Sequence, residues 1–165
     1  MPVRTAPDRL DRIEEIMLPI NEAELSVLIE TELRRMLVPT SKDRVCFIGI
    51  ISNVNPEPPK DEFQEVPSVV EDPSEDLLKR LSSSGAILRK QSQAQECSGQ
   101  TLRDPQTGMM GGFYFAGAIR TDLESAVVKT VYMGGGYLCM SGRKQLWHLR
   151  DGRWVPGEYL MIWES

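Results

Sequence analysis

Apolar residues at helical spacing mark the first forty residues of the chain. Leu10, Ile13 and Met17 recur every three or four positions, which predicts a short helix over 8–18. A longer stripe with the same spacing predicts a second helix over 21–38, closed by a proline. We interpret this stripe as the face of a helix packed on a sheet, and the alternative is an interface with a partner or with a second copy of the chain.

Strand patterns begin at residue 44 and dominate the second half. The run RVCFIGIISNV over 44–54 is almost entirely apolar, which is typical of a central strand buried on both faces. Alternating patterns predict further strands over 86–95, 112–121, 126–133, 145–150, 153–155 and 159–163. Asp151-Gly152 predicts a tight hairpin, and Pro156-Gly157 is expected to interrupt the last strand.

A proline-rich, acidic loop at about 55–73 separates these two parts. It contains five prolines, and residues 53–76 carry eight acidic and one basic side chain. Proline fixes φ and removes a backbone donor, so little regular structure is expected here. The acidic segment is interpreted as a solvated loop, or as one that docks on a basic patch of a partner or of the domain itself. A third helix should follow, with Asp72 as its N-cap.

These elements predict one α+β domain over 1–165, with N-terminal helices packed on a curled, mainly antiparallel sheet that comes largely from the C-terminal half. The isoelectric point is near 5.0 and no basic cluster is interleaved with aromatics, which disfavours nucleic-acid binding. No apolar run is long enough to cross a membrane, and no secretory signal is recognisable, so a cytoplasmic location is expected.

Residues that could carry chemistry are few. His148 is the only histidine, and it could act as a general base with a nearby carboxylate or with Cys139. The structural alternative, a half-exposed strand residue, is favoured because no partner motif surrounds it. Three scattered cysteines and one histidine lack ligand spacing, so no metal and no cofactor is predicted. The cysteines are expected to be reduced, and a Cys97–Cys139 bridge in an extracytoplasmic domain is the alternative.

Aromatic residues concentrate near the C-terminus. If the last strands pair, several of them should share a face, as core or as the lining of a ligand pocket. The candidate binding residues are Tyr137, Trp147, Trp154, Tyr159 and Trp163, together with Glu62 and Glu65 of the acidic loop.

About sixty C-terminal residues resemble known proteins through their turn motifs. The motifs are Thr107-Gly108, Gly117-Ala118-Ile119, Gly134-Gly135-Gly136-Tyr137 and Asp151-Gly152-Arg153-Trp154. They resemble those of uncharacterised small α+β domains of bacteria and of the cystatin-like cone fold of the nuclear transport factor type. The resemblance implies a curled antiparallel sheet wrapped around a helix. Enzymes with this cone fold often use an Asp–His pair, and no such pair can be assigned in this sequence.

The function predicted from the sequence is therefore a non-catalytic binding or interaction domain. It would hold a partner protein or a small ligand through the curled sheet or the acidic loop. The alternative is a small cone-fold enzyme that uses His148 with a carboxylate or Cys139.

Overall fold

The computed structural model describes residues 24–37, 44–59, 65–97, 101–134 and 140–164. The helix expected over 8–18 lies outside these residues. In the described part, two α-helices and nine strands form an α+β fold with one large sheet. The helices are α1, over 24–37, and α2, Glu75–Leu81. The strands are β1 (Val45–Ile51), β2 (Val70–Glu71), β3 (Ile87–Lys90), β4 (Gln95–Cys97), β5 (Thr101–Arg103), β6 (Met110–Asp122), β7 (Ser125–Met133), β8 (Met140–Arg150) and β9 (Arg153–Glu164).

Strand β1 lies inside the sheet, as its continuous apolar sequence predicts. It runs parallel to β6 along one side, and parallel to β3 and then antiparallel to β2 along the other. The sheet is therefore mixed, although most of its pairings are antiparallel. Because the elements between β1 and its parallel partners include α2, the chain can return to the same end of the sheet before it pairs again.

Strands β6 to β9 follow one another in the order β6-β7-β8-β9 and pair antiparallel. The Asp151-Gly152 hairpin is confirmed, with both residues at positive φ. The predicted break at Pro156-Gly157 is wrong, since β9 continues through both residues. A register shift near Gln145 accommodates both residues. Because β9 is the last strand in the order of the sheet, no second neighbouring strand needs a backbone N–H from Pro156.

Two further boundaries differ from the prediction. Helix α2 is capped by Ser74 and not by Asp72, because the Ser74 hydroxyl accepts a hydrogen bond from the Leu77 N–H at 3.1 Å. The single strand expected over 86–95 is instead β3, a 3₁₀ turn at Gln91–Gln93 and the start of β4. The polar run there supplies the turn, in which Asp72 accepts hydrogen bonds from Ser92.

The turn after β5 is built around a buried carboxylate. Asp104 is fully buried, and it accepts hydrogen bonds from the Thr107 hydroxyl at 2.8 Å and the Gln106 N–H at 3.3 Å. Arg89 of β3 lies 3.4 Å from the same side chain. Burial raises the pKa of Asp104, but these hydrogen bonds and the arginine charge outweigh it and hold the pKa below its usual range.

The two faces of the sheet are covered differently. Helices α1 and α2 pack on one face, where Leu33, Leu81 and Ile48 share a cluster. The proline-rich loop crosses the opposite face, where Val54 packs with Val127. We refer to these as the helix face and the loop face. No helix in the described ranges is long and apolar enough to cross a membrane.

Candidate functional site

A cleft of about 670 Å³ opens on the helix face, beside the last turn of α1. We call it the arginine cleft. It is defined by three arginines, Arg35, Arg44 and Arg143, and three tyrosines, Tyr114, Tyr132 and Tyr159. Its volume lies within the range of about 300–1,000 Å³ that is usual for small-ligand sites.

Arg143 of β8 is held in place by a buried acid and a tyrosine. One terminal nitrogen lies 3.0 Å from Glu32 Oε2, and the other donates to the Tyr159 hydroxyl at 3.1 Å. Glu32 is 3 % exposed and also pairs with Arg35. These contacts with the described residues use two of the five N–H donors of the Arg143 guanidinium, which leaves part of a planar fork that suits carboxylate or phosphate.

The described residues of the cleft carry a net positive charge. Glu32 and Glu164 provide two negative charges beside the three arginines. Arg44 lies just before β1 and forms no ion pair with the described residues, whereas the other two arginines share Glu32. An anion in the cleft would therefore meet an arginine whose charge is not already paired within the described part of the protein.

Aromatic surface completes the arginine cleft. Tyr114 and Tyr132 are directly paired across β6 and β7, and their ring centroids lie 5.0 Å apart. On β9, Tyr159 and Ile162 line the same cleft and are 47 % and 60 % exposed. Exposed apolar side chains beside charged ones are typical of a surface that contacts a ligand or partner. The cleft can thus bind an anionic group and an apolar or aromatic body together.

The aromatic residues singled out in the sequence do not form one surface. Trp147 and Trp154 belong to a cluster with Leu28 of α1, and Trp147 is 7 % exposed. Their place is the core between α1 and the sheet. Tyr159 lines the arginine cleft, and Trp163 contributes to clefts on both faces. Tyr137 lies outside the described residues.

His148 is not brought together with a carboxylate in the described part of the chain. The His148 ring lies 3.5 Å from the Ser125 hydroxyl, it forms no ion pair with a described acid, and it lines neither of the two clefts. Cys139 lies outside the described residues. Cys97 in β4 forms no disulfide with another described cysteine, and the alternative Cys97–Cys139 bridge involves a residue outside the described part of the chain. Among the described residues, His148 therefore has no carboxylate partner, and the cone-fold enzyme stays a prediction.

The acidic loop contacts the domain itself through Glu65, while Glu62 lies outside the described residues. One carboxylate oxygen of Glu65 is 3.1 Å from the Lys129 ammonium, and the other is 2.9 Å from that of Lys144. Lys144 is fully buried and donates to the Asn55 and Glu57 carbonyls at 3.1 and 2.7 Å. The three charged side chains form a buried cluster on the loop face.

A second cleft, of about 340 Å³, lies beside this cluster. We call it the lysine cleft. It is defined by Lys129 and by six apolar residues, Phe115, Val131, Met133, Met140, Met161 and Trp163. Residues 65–68 of the loop form one of its walls.

Sequence reasoning missed the basic residues of both clefts. A signal for Lys129 exists, because it interrupts an apolar strand whose other residues are needed for the core. A lysine in the middle of AVVKTVYM can keep solvent contact only if the strand is exposed, and this strand is central. Lys144 lies between an arginine and a glutamine, so the local sequence does not mark it as buried. Arg143 is far from Arg35 and Arg44 in sequence. Only the pairing of β1, β6, β7 and β8, with α1 packed on these strands, places the three together.

Comparison of the chain with protein-family models, with curated proteins and with solved structures finds no match. The resemblance to the cystatin-like cone fold stays a prediction, and the two clefts are the features of the structure that bear on function.

Proposed function

We propose that this domain is a non-catalytic binding domain, and that the arginine cleft, on the helix face of a curled sheet, holds a small organic anion. The observation that carries the proposal is the arrangement of Arg143. A buried acid and a tyrosine hydroxyl fix its guanidinium, so little side-chain entropy remains to be lost when an anion binds. Prepositioned donors of this kind are common in sites for carboxylates and phosphates.

The rest of the cleft supports a ligand with an apolar or aromatic body. Tyr132 and the exposed Tyr159 provide flat apolar surface with polar ends. A cleft of about 670 Å³ can enclose a bicyclic ring with its acidic group. We therefore favour a small ligand over a partner protein that binds through the acidic loop, since Glu65 of that loop is already paired within the domain.

The proposal is tested with three probes that share a ring system and differ in head group. These are 2-naphthoate, 2-naphthyl phosphate and the neutral 2-naphthalenemethanol. Amide chemical shifts followed by NMR should show at least one of the two anions binding about tenfold or more tighter than the alcohol, because a hydrogen bond to a charged group contributes about 1.5–3 kcal/mol. The shifted amides should lie around Arg143 and Tyr132.

Arg44→Met is the diagnostic variant, because Arg44 forms no ion pair with the described residues and its loss should leave the fold intact. It should weaken binding of the anions about tenfold while leaving the alcohol unchanged. Arg153→Met, an exposed arginine in the last hairpin, is the matched control and should change neither. Equal binding of all three probes, or no binding at millimolar concentration, would refute the proposal.

A further inference from the structure

In the described part of the chain, the loop face contains a buried excess of positive charge that the arginine cleft does not explain. Lys129 and Lys144 are 4 % and 0 % exposed, and Glu65 is the one carboxylate that pairs with them in the described part of the chain. Among the described residues, two ammonium groups and one carboxylate leave one positive charge without a counterion. Since an uncompensated charge is strongly disfavoured away from water, a bound anion would stabilise this cluster.

Lys129 is the member of the cluster that an anion could reach. Lys144 already donates to two backbone carbonyls and faces Glu65 as well. Lys129 has Glu65 at 3.1 Å, and the Val66 carbonyl lies farther away, at 3.5 Å, so its ammonium is less fully satisfied. Lys129 also lines the lysine cleft, whereas Lys144 does not.

Apart from Glu65 and Ser68 in the loop wall, the remainder of the lysine cleft is apolar. Phe115 and Val131 lie within the sheet, and three methionines line it together with Trp163. The Lys129 ammonium lies 5.9 Å from the centre of the Trp163 ring. Methionine side chains adapt to apolar ligands of irregular shape. The cleft thus combines one buried cation with a flexible apolar wall.

A glycine keeps Trp163 in this place. Gly142 of β8 is paired with Trp163 of β9, and a β-carbon at Gly142 would lie 2.0 Å from the indole ring. Because Gly142 has no side chain, the ring can lie against the sheet and close one side of the cleft.

We propose that the lysine cleft is a second ligand site, which binds a monocarboxylic acid with a medium-length alkyl chain. The carboxylate would pair with Lys129, and the chain would lie among Met133, Met140 and Met161. Its volume of about 340 Å³ favours a single short chain over a larger ring system or a diacyl lipid. The proposal does not rest on the arginine cleft, which lies on the opposite face of the sheet and shares Trp163 with the lysine cleft.

The experiment uses octanoate and 1-octanol as probes of equal chain length. The methionine methyl groups of the protein are labelled with ¹³C and followed by NMR during titration. Octanoate should shift the methyls of Met133, Met140 and Met161 and leave that of the exposed Met110 unchanged. It should bind about tenfold or more tighter than octanol, and hexanoate should bind more weakly by about fourfold per methylene removed.

Lys129→Met separates the charge from the apolar wall. In this variant octanoate should lose its advantage of about tenfold over octanol, while octanol should still bind. Lys79→Met, on the exposed side of α2, is the matched control and should keep the preference. An unfolding curve for each variant verifies that the fold is retained.

Three results would overturn the proposal. These are octanoate that binds no tighter than octanol, a preference that survives Lys129→Met, and methyl shifts outside the lysine cleft. Arg44→Met distinguishes the two sites, because it should weaken binding of the naphthyl anions and leave binding of octanoate unchanged.

Discussion

Removal of the Glu65 carboxylate is the sharpest test of how the acidic loop is held. Glu65→Ala would leave the ammonium groups of Lys129 and Lys144 buried without their shared counterion. Loss of one partner from a buried ionic cluster costs about 3–5 kcal/mol. This is a large part of the roughly 5–15 kcal/mol by which such domains are stable.

Equilibrium unfolding in urea measures this loss. With an m-value of about 2 kcal/mol/M, the midpoint should fall by about 2 M. Glu65→Gln, which keeps the size of the side chain and one acceptor oxygen, should lower the midpoint by less. The order of the three proteins therefore reports the separate effects of charge and of hydrogen bonding.

Glu75→Ala is the matched control, because it removes an ion pair of similar geometry from the surface. Glu75 lies 2.6 Å from Lys90, but its side chain is 79 % exposed, against 10 % for Glu65. Water and salt screen an exposed pair, so no resolvable shift of the midpoint is expected. If Glu65→Ala and Glu75→Ala behaved alike, burial would not decide the strength of these pairs and our reasoning would be refuted.

Two further predictions concern β5, β6 and the turn between them. The pKa of Asp104 is held low in the folded state, so its contribution to stability is complete above the unfolded pKa of about 3.9 and is lost as the pH falls through the folded value. Thermal unfolding measured from pH 7 downward should show that the difference in stability between the wild type and Asp104→Asn shrinks below about pH 4. A difference that stays constant with pH would contradict this. Gly111→Ala would bring a β-carbon to 2.1 Å from the Val45 carbonyl oxygen of the neighbouring strand. It should cost about 3 kcal/mol in urea unfolding. Gly152→Ala, in open space at φ 75°, should cost about 1 kcal/mol, and the reverse order would contradict the steric argument.

Local sequence patterns predicted the elements that depend on neighbouring residues. The apolar stripe of α1, the buried strand β1 and the Asp151-Gly152 hairpin each follow from side-chain spacing or backbone preference within a few residues. The wrong prediction of a break at Pro156 arises because the same patterns contain only local information. Proline interrupts a strand only where a second neighbouring strand needs a backbone N–H from that position. Whether a strand lies at the end of the sheet cannot be read from nearby residues.

The candidate site was less predictable, because it depends on which part of the helix face α1 covers. Trp147 and Tyr159 are both aromatic and close in sequence, yet one lies under α1 and the other lines the arginine cleft. Both lie on the helix face, since Tyr159 pairs with Gln145, two residues from Trp147. Their different surroundings come from the packing of α1 on the sheet, so strand periodicity alone could not assign them.

The parallel pairing of β1 with β6 has a consequence for synthesis of the chain. The apolar strand VCFIGII is complete about sixty residues before its partner begins to emerge. At about 5–20 residues per second, the ribosome adds those residues in roughly 3–12 s. During that interval β1 has no β6 to pair with, and such a segment aggregates readily with other nascent chains. Chaperones that bind extended apolar peptides should therefore contact this chain early in its translation, before β6 has left the exit tunnel.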